Sequence, residues 1–475
     1  MAFDEQVEQL GRTVNDAKPP RPNGTRRALL GITALAMGAA SLGYALASRE
    51  PEHIPGQLIV GFENEVSLTS EADGNVLTGL SAVDAINRSL EGESYEALAP
   101  ASAEYELDNI FLLDVEDSAN LPRLMSRLSA APGVEFVTYD MEMSLLDEPN
   151  DPFWSSSGSW KDKDFSGYGD LWGLQRTNIQ AAWDITKGSD DLIIAIIDTG
   201  IAPHPDLEGR LMTGYNAIDG SDNTRDGHGH GTHVAGTILA VHNNGIGIVG
   251  VMDRGRLMPI KVLSDSGSGS LFGVAQGIIY AGKNGADVAN MSLGGPAGPA
   301  QRVLDEAISY SVSKGTIFVV AAGNNDQDAI RNTPANNPQV ITMAALTPDL
   351  TRTYFSAFGS KVTAGAPGWY VLSTVPDQNK VPRRDPNDPN AKGYPCIESQ
   401  GALYCAFHGT SMASPHGAGL VGLMLAANPE LGGDFEAVRG IIRETSNPVR
   451  EEAGKPVNGS IDYGAAVQAA AEYGR

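Results

Sequence analysis

Runs of apolar residues alternate with helix-patterned segments along the C-terminal two thirds of the chain. The strand-like runs are 192–197, 257–263, 286–293, 316–322 and 340–345. Helical spacing is predicted for 230–241, 270–284, 299–314 and 411–427. Strands that are apolar at nearly every position are buried on both faces, so the pattern predicts an α/β fold with a mostly parallel, doubly wound sheet and helices on both faces. In such sheets the functional site lies at the carboxyl ends of the strands.

A smaller pattern of strands and one helix precedes the large one. It covers residues 53–147, and its strand-like and helix-like segments are 57–62, 109–115, 121–128 and 133–137. The pattern predicts a small α+β domain without candidate chemistry. Residues 147–158 are rich in Pro, Asp, Ser and Gly, which predicts an exposed linker into a larger domain spanning 150–475.

The N-terminal segment carries a targeting pattern. Arg26-Arg27 precedes an uncharged stretch, 28–47, which ends in Ala45-Leu46-Ala47, a motif suited to signal peptidase. Residues 1–47 are therefore predicted to be an export signal, and the paired arginines fit the twin-arginine type. The alternative is an uncleaved membrane anchor, because the stretch has the length of a membrane span. Either interpretation predicts that the rest of the chain is secreted or faces outward.

Composition narrows the function classes. The 475 residues include 33 Lys and Arg against 58 Asp and Glu, a net charge of −25. Such an acidic chain is a poor candidate for binding nucleic acid, which requires clustered basic side chains. The 2 cysteines exclude a scaffold built from disulfides and a zinc site with four cysteine ligands.

Asp198 follows the apolar run 192–197 and begins the triplet Asp198-Thr199-Gly200. The triplet is also typical of pepsin-like aspartic proteases, and a near-match starts at Asp265. The two positions are too close in sequence for two β-lobes, and a helix-patterned segment separates them. We therefore interpret Asp198 as a single carboxylate at the carboxyl end of a buried strand.

Three histidines lie within six residues, at His228, His230 and His233. One hypothesis is a zinc site, which uses such nitrogen ligands and an open position. No Glu lies nearby to act as the base, and the glycines beside His230 suit close backbone approach better than a rigid ligand set. We expect His233 to be structural.

Ser411 is predicted to lie in the first turn of the most apolar helix, where free N–H groups and the helix dipole favour developing negative charge. Serine is also a common helix cap, so the residue alone decides nothing. The three residues together are more informative than Ser411 alone, because Asp198, His230 and Ser411 supply the acid, base and nucleophile of a catalytic triad. A neutral imidazole can accept the serine proton, while the carboxylate orients the ring.

The segments around these three residues resemble the subtilisin-like serine proteases (subtilases). The matching segments are 197–200, 230–237 and 409–416, and their order is the one found in subtilisin. The resemblance covers residues 150 to 470 and implies that His230 is the catalytic histidine. It further implies that Asn324, in Ala321-Ala322-Gly323-Asn324, donates to the oxyanion together with the backbone N–H of Ser411.

The resemblance also implies two strands that bind the substrate by main-chain pairing. The implied substrate-binding residues are Ser292, Leu293 and Gly294 on one edge, Gly267, Ser268 and Gly269 on the other, and Ala322 and Gly323 in the primary specificity pocket. Asn332 is expected at the base of that pocket, which shows no buried charge and predicts a preference for apolar or aromatic side chains. Asn290 is expected to be structural.

Residues 53–147 resemble a subtilase propeptide, which implies an intramolecular inhibitor that assists folding. We expect the enzyme to remove it by cutting within 145–151. The expected partners are protein or peptide substrates and the chain's own propeptide, and the mature enzyme is expected to be a monomer.

The family's tight calcium site is resembled by two segments, 204–207 and 242–248. The implied ligands are side-chain oxygens of Asp206 and Asn244 with carbonyls of His242, Ile246 and Ile248. Two interpretations of the acidic loop remain equally open. Its carboxylates bind a second ion, or they are solvated side chains of a turn; the residues are Asp219, Asp222 and Asp226.

An insert between Pro376 and His408 departs from the shorter family pattern and contains both cysteines. Cys396 and Cys405 are close enough in sequence to close a small loop before Ser411, and export permits the bond. We expect a disulfide, with two buried thiols as the alternative.

These inferences predict a secreted serine endopeptidase made as a self-cleaving precursor. The alternative is a propeptide-locked binding protein that cleaves itself once and never turns over.

Overall fold

The computed structural model describes residues 53–63, 66, 68–70, 75–90, 94–98, 109–115, 120–141, 148–158, 168–384, 392–450 and 452–474. The chain divides into two compact units, with the boundary between Leu145 and Leu146. The predicted export signal, 1–47, lies outside the described residues, as do residues 145–147 of the predicted cleavage region. Within the described ranges, every helix is too short or too polar to cross a bilayer.

The N-terminal unit is an antiparallel sheet with strand order β4-β5-β1-β6, together with the short pair β2 and β3. Its described strands are β1 (His53–Phe62), β2 (Thr69–Ser70), β3 (Val76–Leu77), β4 (Ser94–Ala97), β5 (Ile110–Asp114) and β6 (Val134–Met141). Its described helices are α1 (Ser81–Asn87) and α2 (Leu121–Ser129). Leu121, Leu124 and Leu128 of α2 share one helix face and are buried in the same core as Leu58 of β1. The predicted α+β pattern is therefore present, and α1, β2, β3 and β4 are additional elements.

The C-terminal unit is built on a parallel sheet of seven strands in the order β15-β14-β12-β10-β7-β9-β8. These strands are β7 (Gly188–Asp198), β8 (Tyr215–Asn216), β9 (Arg254–Lys261), β10 (Val288–Met291), β12 (Ile317–Ala321), β14 (Val340–Leu346) and β15 (Ala364–Pro367). Smaller antiparallel sheets are formed by β11 (Gly295–Pro296) with β13 (Asn332–Thr333), and by β16 (Val371–Val375), β17 (Cys396–Ser399) and β18 (Ala402–Phe407).

Helices cover both faces of the parallel sheet, as the sequence predicts. The described helices of this unit are α3 (Pro152–Ser155), α4 (Trp172–Arg176), α5 (Ile179–Trp183), α6 (His230–Leu239), α7 (Leu271–Lys283), α8 (Arg302–Val312), α9 (Thr410–Ala427), α10 (Phe435–Thr445) and α11 (Tyr463–Glu472). Successive residues of β7 enter opposite cores, since Ile194 and Ile196 pack with α6 and α9, whereas Ala195 and Ile197 pack with α7 and α8.

The strand order places one crevice beside β7. Within the sheet, β9 lies next to β7 on one side, and β10, which follows β9 in the chain, lies next to β7 on the other side. A crevice at the carboxyl ends of parallel strands forms where the order reverses in this way. Asp198 ends β7 and Ser292 follows β10, so both residues lie at this crevice.

The prediction of an exposed linker over 147–158 is wrong for residues 151–154, whereas Ser155, Ser157 and Gly158 are exposed. Asp151, Phe153 and Trp154 are buried, and Pro152–Ser155 forms the short helix α3. Phe153 packs edge-on against Tyr404 with ring centroids 5.4 Å apart, and Trp154 packs against Trp183 at 5.3 Å. The turn-forming composition concealed two aromatic residues that fill gaps in the core.

The predicted insert forms a hairpin in its described part. β17 and β18 pair so that Cys396 lies opposite Cys405, and a disulfide joins them. The predicted disulfide is confirmed. β18 runs directly toward Gly409 and Ser411, so the hairpin borders the start of α9.

Candidate active site

Asp198 and His230 are joined by a short hydrogen bond at the crevice. Nδ1 of His230 donates to Oδ1 of Asp198 at 2.7 Å, and the Asp198 side chain is fully buried. The His230 side chain is 20% exposed and lines a cleft. Burial alone lowers the pKa of His230, but the charge and the hydrogen bond of Asp198 outweigh it and hold the pKa above its usual value.

The first turn of α6 approaches the end of β7 closely because residue 231 is glycine. A Cβ at Gly231 would lie 2.1 Å from the carbonyl oxygen of Gly200. The backbone N–H of Gly231 donates to Oγ1 of Thr199 at 2.9 Å. Any side chain at this position would push the helix away from the strand and lengthen the bond between His230 and Asp198.

Asp226 caps the start of α6. Its Oδ1 accepts from the N–H groups of His228 and Gly229, and its Oδ2 accepts from the N–H and hydroxyl of Thr232. The side chain is buried, so Asp226 is not a solvated turn carboxylate. A carboxylate at a helix N-terminus accepts hydrogen bonds from the free N–H groups and interacts favourably with the positive end of the helix dipole.

The three neighbouring histidines face different surroundings. Nε2 of His233 donates to the carbonyls of Val371 and Cys405, and the ring stacks on Phe407 at 4.1 Å. Burial lowers the pKa of His233 to about 3, so it is a neutral core residue. His228 lines the cleft beside His230, with ring centroids 6.2 Å apart. Among the described residues no group of three His, Cys, Asp or Glu side chains is arranged to hold a metal.

Ser411 lies in the first turn of α9, and paired hydrogen bonds join it to Ser292. The Ser411 hydroxyl donates to the Ser292 carbonyl at 3.2 Å, and the Ser292 hydroxyl donates to the Ser411 carbonyl at 2.7 Å. Asn290 donates to the Ser292 hydroxyl at 2.9 Å and accepts from Ser414 at 2.6 Å. Asn290 is buried, and its two hydrogen bonds hold the end of β10 against α9.

Asn324 is held through its side-chain oxygen. Its Oδ1 accepts from the N–H and the hydroxyl of Thr410, at 2.8 and 2.9 Å. The residue is exposed. Gly323 adopts a φ of +116°, and a Cβ there would lie 2.2 Å from Nδ2 of Asn332, so the turn before Asn324 requires glycine.

Two clefts adjoin these residues. The larger, of about 630 Å³, is lined by His230 and by both predicted edges, Gly267–Gly269 and Ser292–Gly294. The second, of about 400 Å³, is lined by Gly323, Asn324 and Ser411. Asn332 contributes to its wall and donates to the Ala322 carbonyl at 2.8 Å. Arg331, an exposed residue, also borders this second cleft, and the sequence motifs did not point to it.

The predicted calcium segments lie together, with Asp206 and His242 buried and Asn244 exposed. Oδ1 of Asp206 accepts from Asn244 at 2.8 Å, and Oδ2 accepts from the N–H of Ile248 and the Tyr404 hydroxyl at 3.0 and 3.1 Å. Burial raises the pKa of Asp206 to about 7. Nε2 of His242 donates to the Gly250 carbonyl at 2.9 Å, and burial lowers the pKa of His242 to about 4, so the ring is neutral.

Asp151 is a further residue of this loop that sequence reasoning missed. Its Oδ2 accepts from the N–H of Asn243 at 2.8 Å, while its Oδ1 is buried without a partner among the described residues. Burial raises the pKa of Asp151, and its charge also raises that of Asp206. Two buried carboxylates, one with an unpartnered oxygen, fit a cation that prefers oxygen ligands.

Residues 189–464 match the model of the subtilase family, Peptidase S8. The chain belongs to the subtilase family. Its members are serine proteases, and the predicted fold and enzyme class are thereby confirmed. The sequence is 34% identical to thermitase of Thermoactinomyces vulgaris over 321 residues, which is 67% of this chain and 99% of that protein.

Two further subtilases are similar. An alkaline protease of Alkalihalobacillus alcalophilus is 32% identical over 380 residues, which is 78% of this chain and 86% of that protein. The solved structure of a protease of Pseudoalteromonas arctica is 30% identical, with a TM-score of 0.56, and the match covers 68% of this chain and 100% of that one.

Proposed function

We propose that this subtilase is a secreted serine endopeptidase in which Ser411 is the nucleophile, His230 the general base and Asp198 the residue that orients the base. The observation that carries the proposal is the 2.7 Å bond from Nδ1 of His230 to the buried Asp198. It fixes the tautomer of His230 with the proton on Nδ1, which leaves Nε2 free to accept a proton.

The reaction begins when the Ser411 hydroxyl turns from the Ser292 carbonyl to Nε2 of His230. His230 takes the proton as Oγ attacks the scissile carbonyl, and Asp198 stabilises the imidazolium that results. The proton then passes to the leaving amine, and an acyl-enzyme remains on Ser411. Water attacks this ester with His230 again as the base and regenerates the serine.

Asn324 and the backbone N–H of Ser411 are the proposed oxyanion donors. Thr410 holds Oδ1 of Asn324, so Nδ2 is the group left to donate. Because both donors are fixed before the reaction, they stabilise the charge that develops without reorganising.

The peptide is proposed to lie between the edges Gly267–Gly269 and Ser292–Gly294, which line one cleft. Main-chain pairing on both sides holds the peptide with little demand on its side chains. The side chain before the scissile bond would enter the second cleft, which is walled by Ala321, Gly323 and Asn332. Ala322, which was expected to line this pocket, is instead fully buried in the core.

Residues 53–147 are the proposed propeptide and inhibitor. The match to the alkaline protease supports this assignment, since 78% of the chain is about 370 residues and exceeds the 330 residues from Leu146 onward. At least about 40 residues of the N-terminal unit therefore belong to that match. Export is proposed from the segment 1–47, and the Cys396–Cys405 disulfide is consistent with an oxidising compartment.

A structural calcium ion fits the loop around Asp206. The proposed ligands are side-chain oxygens of Asp151, Asp206 and Asn244 and the carbonyls of His242, Ile246 and Ile248. Bound there, the ion would neutralise two buried carboxylates and so stabilise the fold.

Casein hydrolysis by the mature protein tests the proposed function. We expect wild type and Ser313→Ala, a change at an exposed serine that closes α8, to cleave casein at equal rates, and Ser411→Ala to be inactive. A wild-type protein that loses its propeptide and then fails to turn over casein would favour the propeptide-locked binding protein.

A further inference from the structure

The loop that carries Asn324 is anchored by an ion-pair network two residues downstream. Asp326 pairs with Nη1 of Arg352 at 2.9 Å and with Nζ of Lys455 at 2.7 Å. Arg352 also pairs with Glu452, which in turn pairs with Lys455 at 3.1 Å. The four residues come from three separate stretches of the chain.

Arg352 is the fixed centre of this network. Its side chain is only 3% exposed, whereas Asp326 and Glu452 are 40% and 50% exposed. Arg352 also donates to the Ser356 carbonyl, and its guanidinium lies 5.4 Å from the centroid of the Phe358 ring. Because the planar guanidinium of Arg352 is fixed in this way, a carboxylate that pairs with it is held in one defined position.

The backbone at Asp326 needs such an anchor. Its φ of +49° is in the left-handed region, which is costly for a residue other than glycine and persists only when the surroundings enforce it. The N–H of Asp326 donates to the Phe355 carbonyl at 2.8 Å, so Asp326 is tied at both backbone and side chain to the segment 352–358.

We propose that Asp326, through Arg352, is a positioning residue that sets where the amide of Asn324 points. The inference rests on the proposed oxyanion role of Asn324. Thr410 fixes one end of the Asn324 side chain, and the pair Asp326–Arg352 fixes the turn that follows it. Without the Asp326 carboxylate, the turn after Asn324 keeps only its backbone bonds, such as that from the Asp326 N–H to the Phe355 carbonyl, and Nδ2 of Asn324 moves relative to the oxyanion.

The test compares kcat and KM for an amide substrate in Asp326→Gly, with thermal unfolding of each variant as a check on folding. Glycine relieves the positive φ while it removes the carboxylate, so backbone strain cannot cause a loss. We expect kcat to fall about tenfold with KM unchanged, within the roughly 10²-fold that a displacement of about 1 Å can cost. Asp190→Ala, which breaks the exposed pair with Arg254, is the matched control and leaves kcat unchanged.

The decisive step repeats the change in an Asn324→Ala background. If Asp326 acts through Asn324, the tenfold loss disappears in that background, whereas a purely structural role predicts the same loss in both. An equal loss in both backgrounds, or no loss in either, overturns the inference and leaves the oxyanion assignment standing. If Asn324→Ala alone leaves kcat unchanged, the oxyanion assignment fails and the inference fails with it.

Discussion

Nδ1 of His230 lies 2.7 Å from Oδ1 of Asp198, at the point where the first turn of α6 meets the last residue of β7. The contact depends on Gly231, whose missing side chain lets the helix touch the strand end. It also affects the proposed base, because Asp198 keeps the pKa of His230 above its usual value despite burial. One contact therefore links the fold to the chemistry of the site.

This contact predicts the pH dependence of hydrolysis. His230 must be neutral to accept the serine proton, so kcat/KM is expected to fall as the pH drops through its raised pKa, with a midpoint above 6.5. Asp198→Asn removes the charge that raises the pKa, so the midpoint should move to lower pH, and kcat should fall by roughly 10⁴-fold. The measurement is kcat/KM for a peptide amide from pH 5 to 9.

Asp190→Asn is the control for that profile, because it removes an exposed carboxylate remote from the crevice. We expect its midpoint to match that of the wild type. A midpoint that stays in place in Asp198→Asn would show that Asp198 does not raise the pKa of His230.

Self-processing is the second prediction. Ser411→Ala should accumulate the full precursor when refolded as a purified protein, because the cut within 145–151 requires the same nucleophile as substrate hydrolysis. Adding a catalytic amount of mature wild-type enzyme should then convert it. The measurement is intact-mass spectrometry over time, and maturation of the purified Ser411→Ala protein without added enzyme would disprove self-cleavage.

Calcium removal is the third prediction. A site held at about 100 times its Kd contributes about 2.7 kcal/mol to the free energy of unfolding. For a unit of 330 residues, with an unfolding entropy of about 2.1 cal/mol/K per residue, a chelator should therefore lower Tm by about 4 °C. Asp206→Asn should have the lower Tm already and should not respond to the chelator. Unchanged Tm of the wild type in the chelator would exclude a structural calcium ion, and magnesium should not restore the loss because it prefers a smaller octahedral shell.

The disulfide supplies the fourth prediction. It closes a loop with a sequence separation of 9. The chain-entropy model assigns such a loop about 2.5 kcal/mol of stability. The double variant Cys396→Ser/Cys405→Ser should lose about that much, measured by denaturant unfolding of protein inhibited beforehand to prevent self-digestion. A reductant should lower the free energy of unfolding of the wild type to that of the variant and leave the variant unchanged. Equal stability of the two proteins without reductant would contradict the prediction.

The sequence predicted the large sheet well because its strands are apolar at nearly every position. The run at 192–197 became the buried end of β7, and the helix predicted at 411–427 became α9 almost residue for residue. Such patterns can be read from the sequence because the positions of the apolar residues reflect which parts of each element are buried.

Other features depend on contacts between distant parts of the chain. Asp151 reads as part of a turn-rich linker, and only folding brings it against Asn243 of the loop beside Asp206. Arg352 and Asp326 carry no motif, and their pairing depends on where the segment 352–358 returns to the sheet. The capping role of Asp226 was likewise hidden among neighbouring acidic turn residues.

The central claim is that Ser411 is a nucleophile activated by His230, and covalent labelling tests it most directly. A fluorophosphonate reacts with a serine only when a base activates it, so we expect one label per molecule, located on Ser411 by peptide mass spectrometry. We expect His230→Ala, folded with the same Tm, to react at least about 10³-fold more slowly. A label on another residue, or equal labelling of wild type and His230→Ala, would contradict the account.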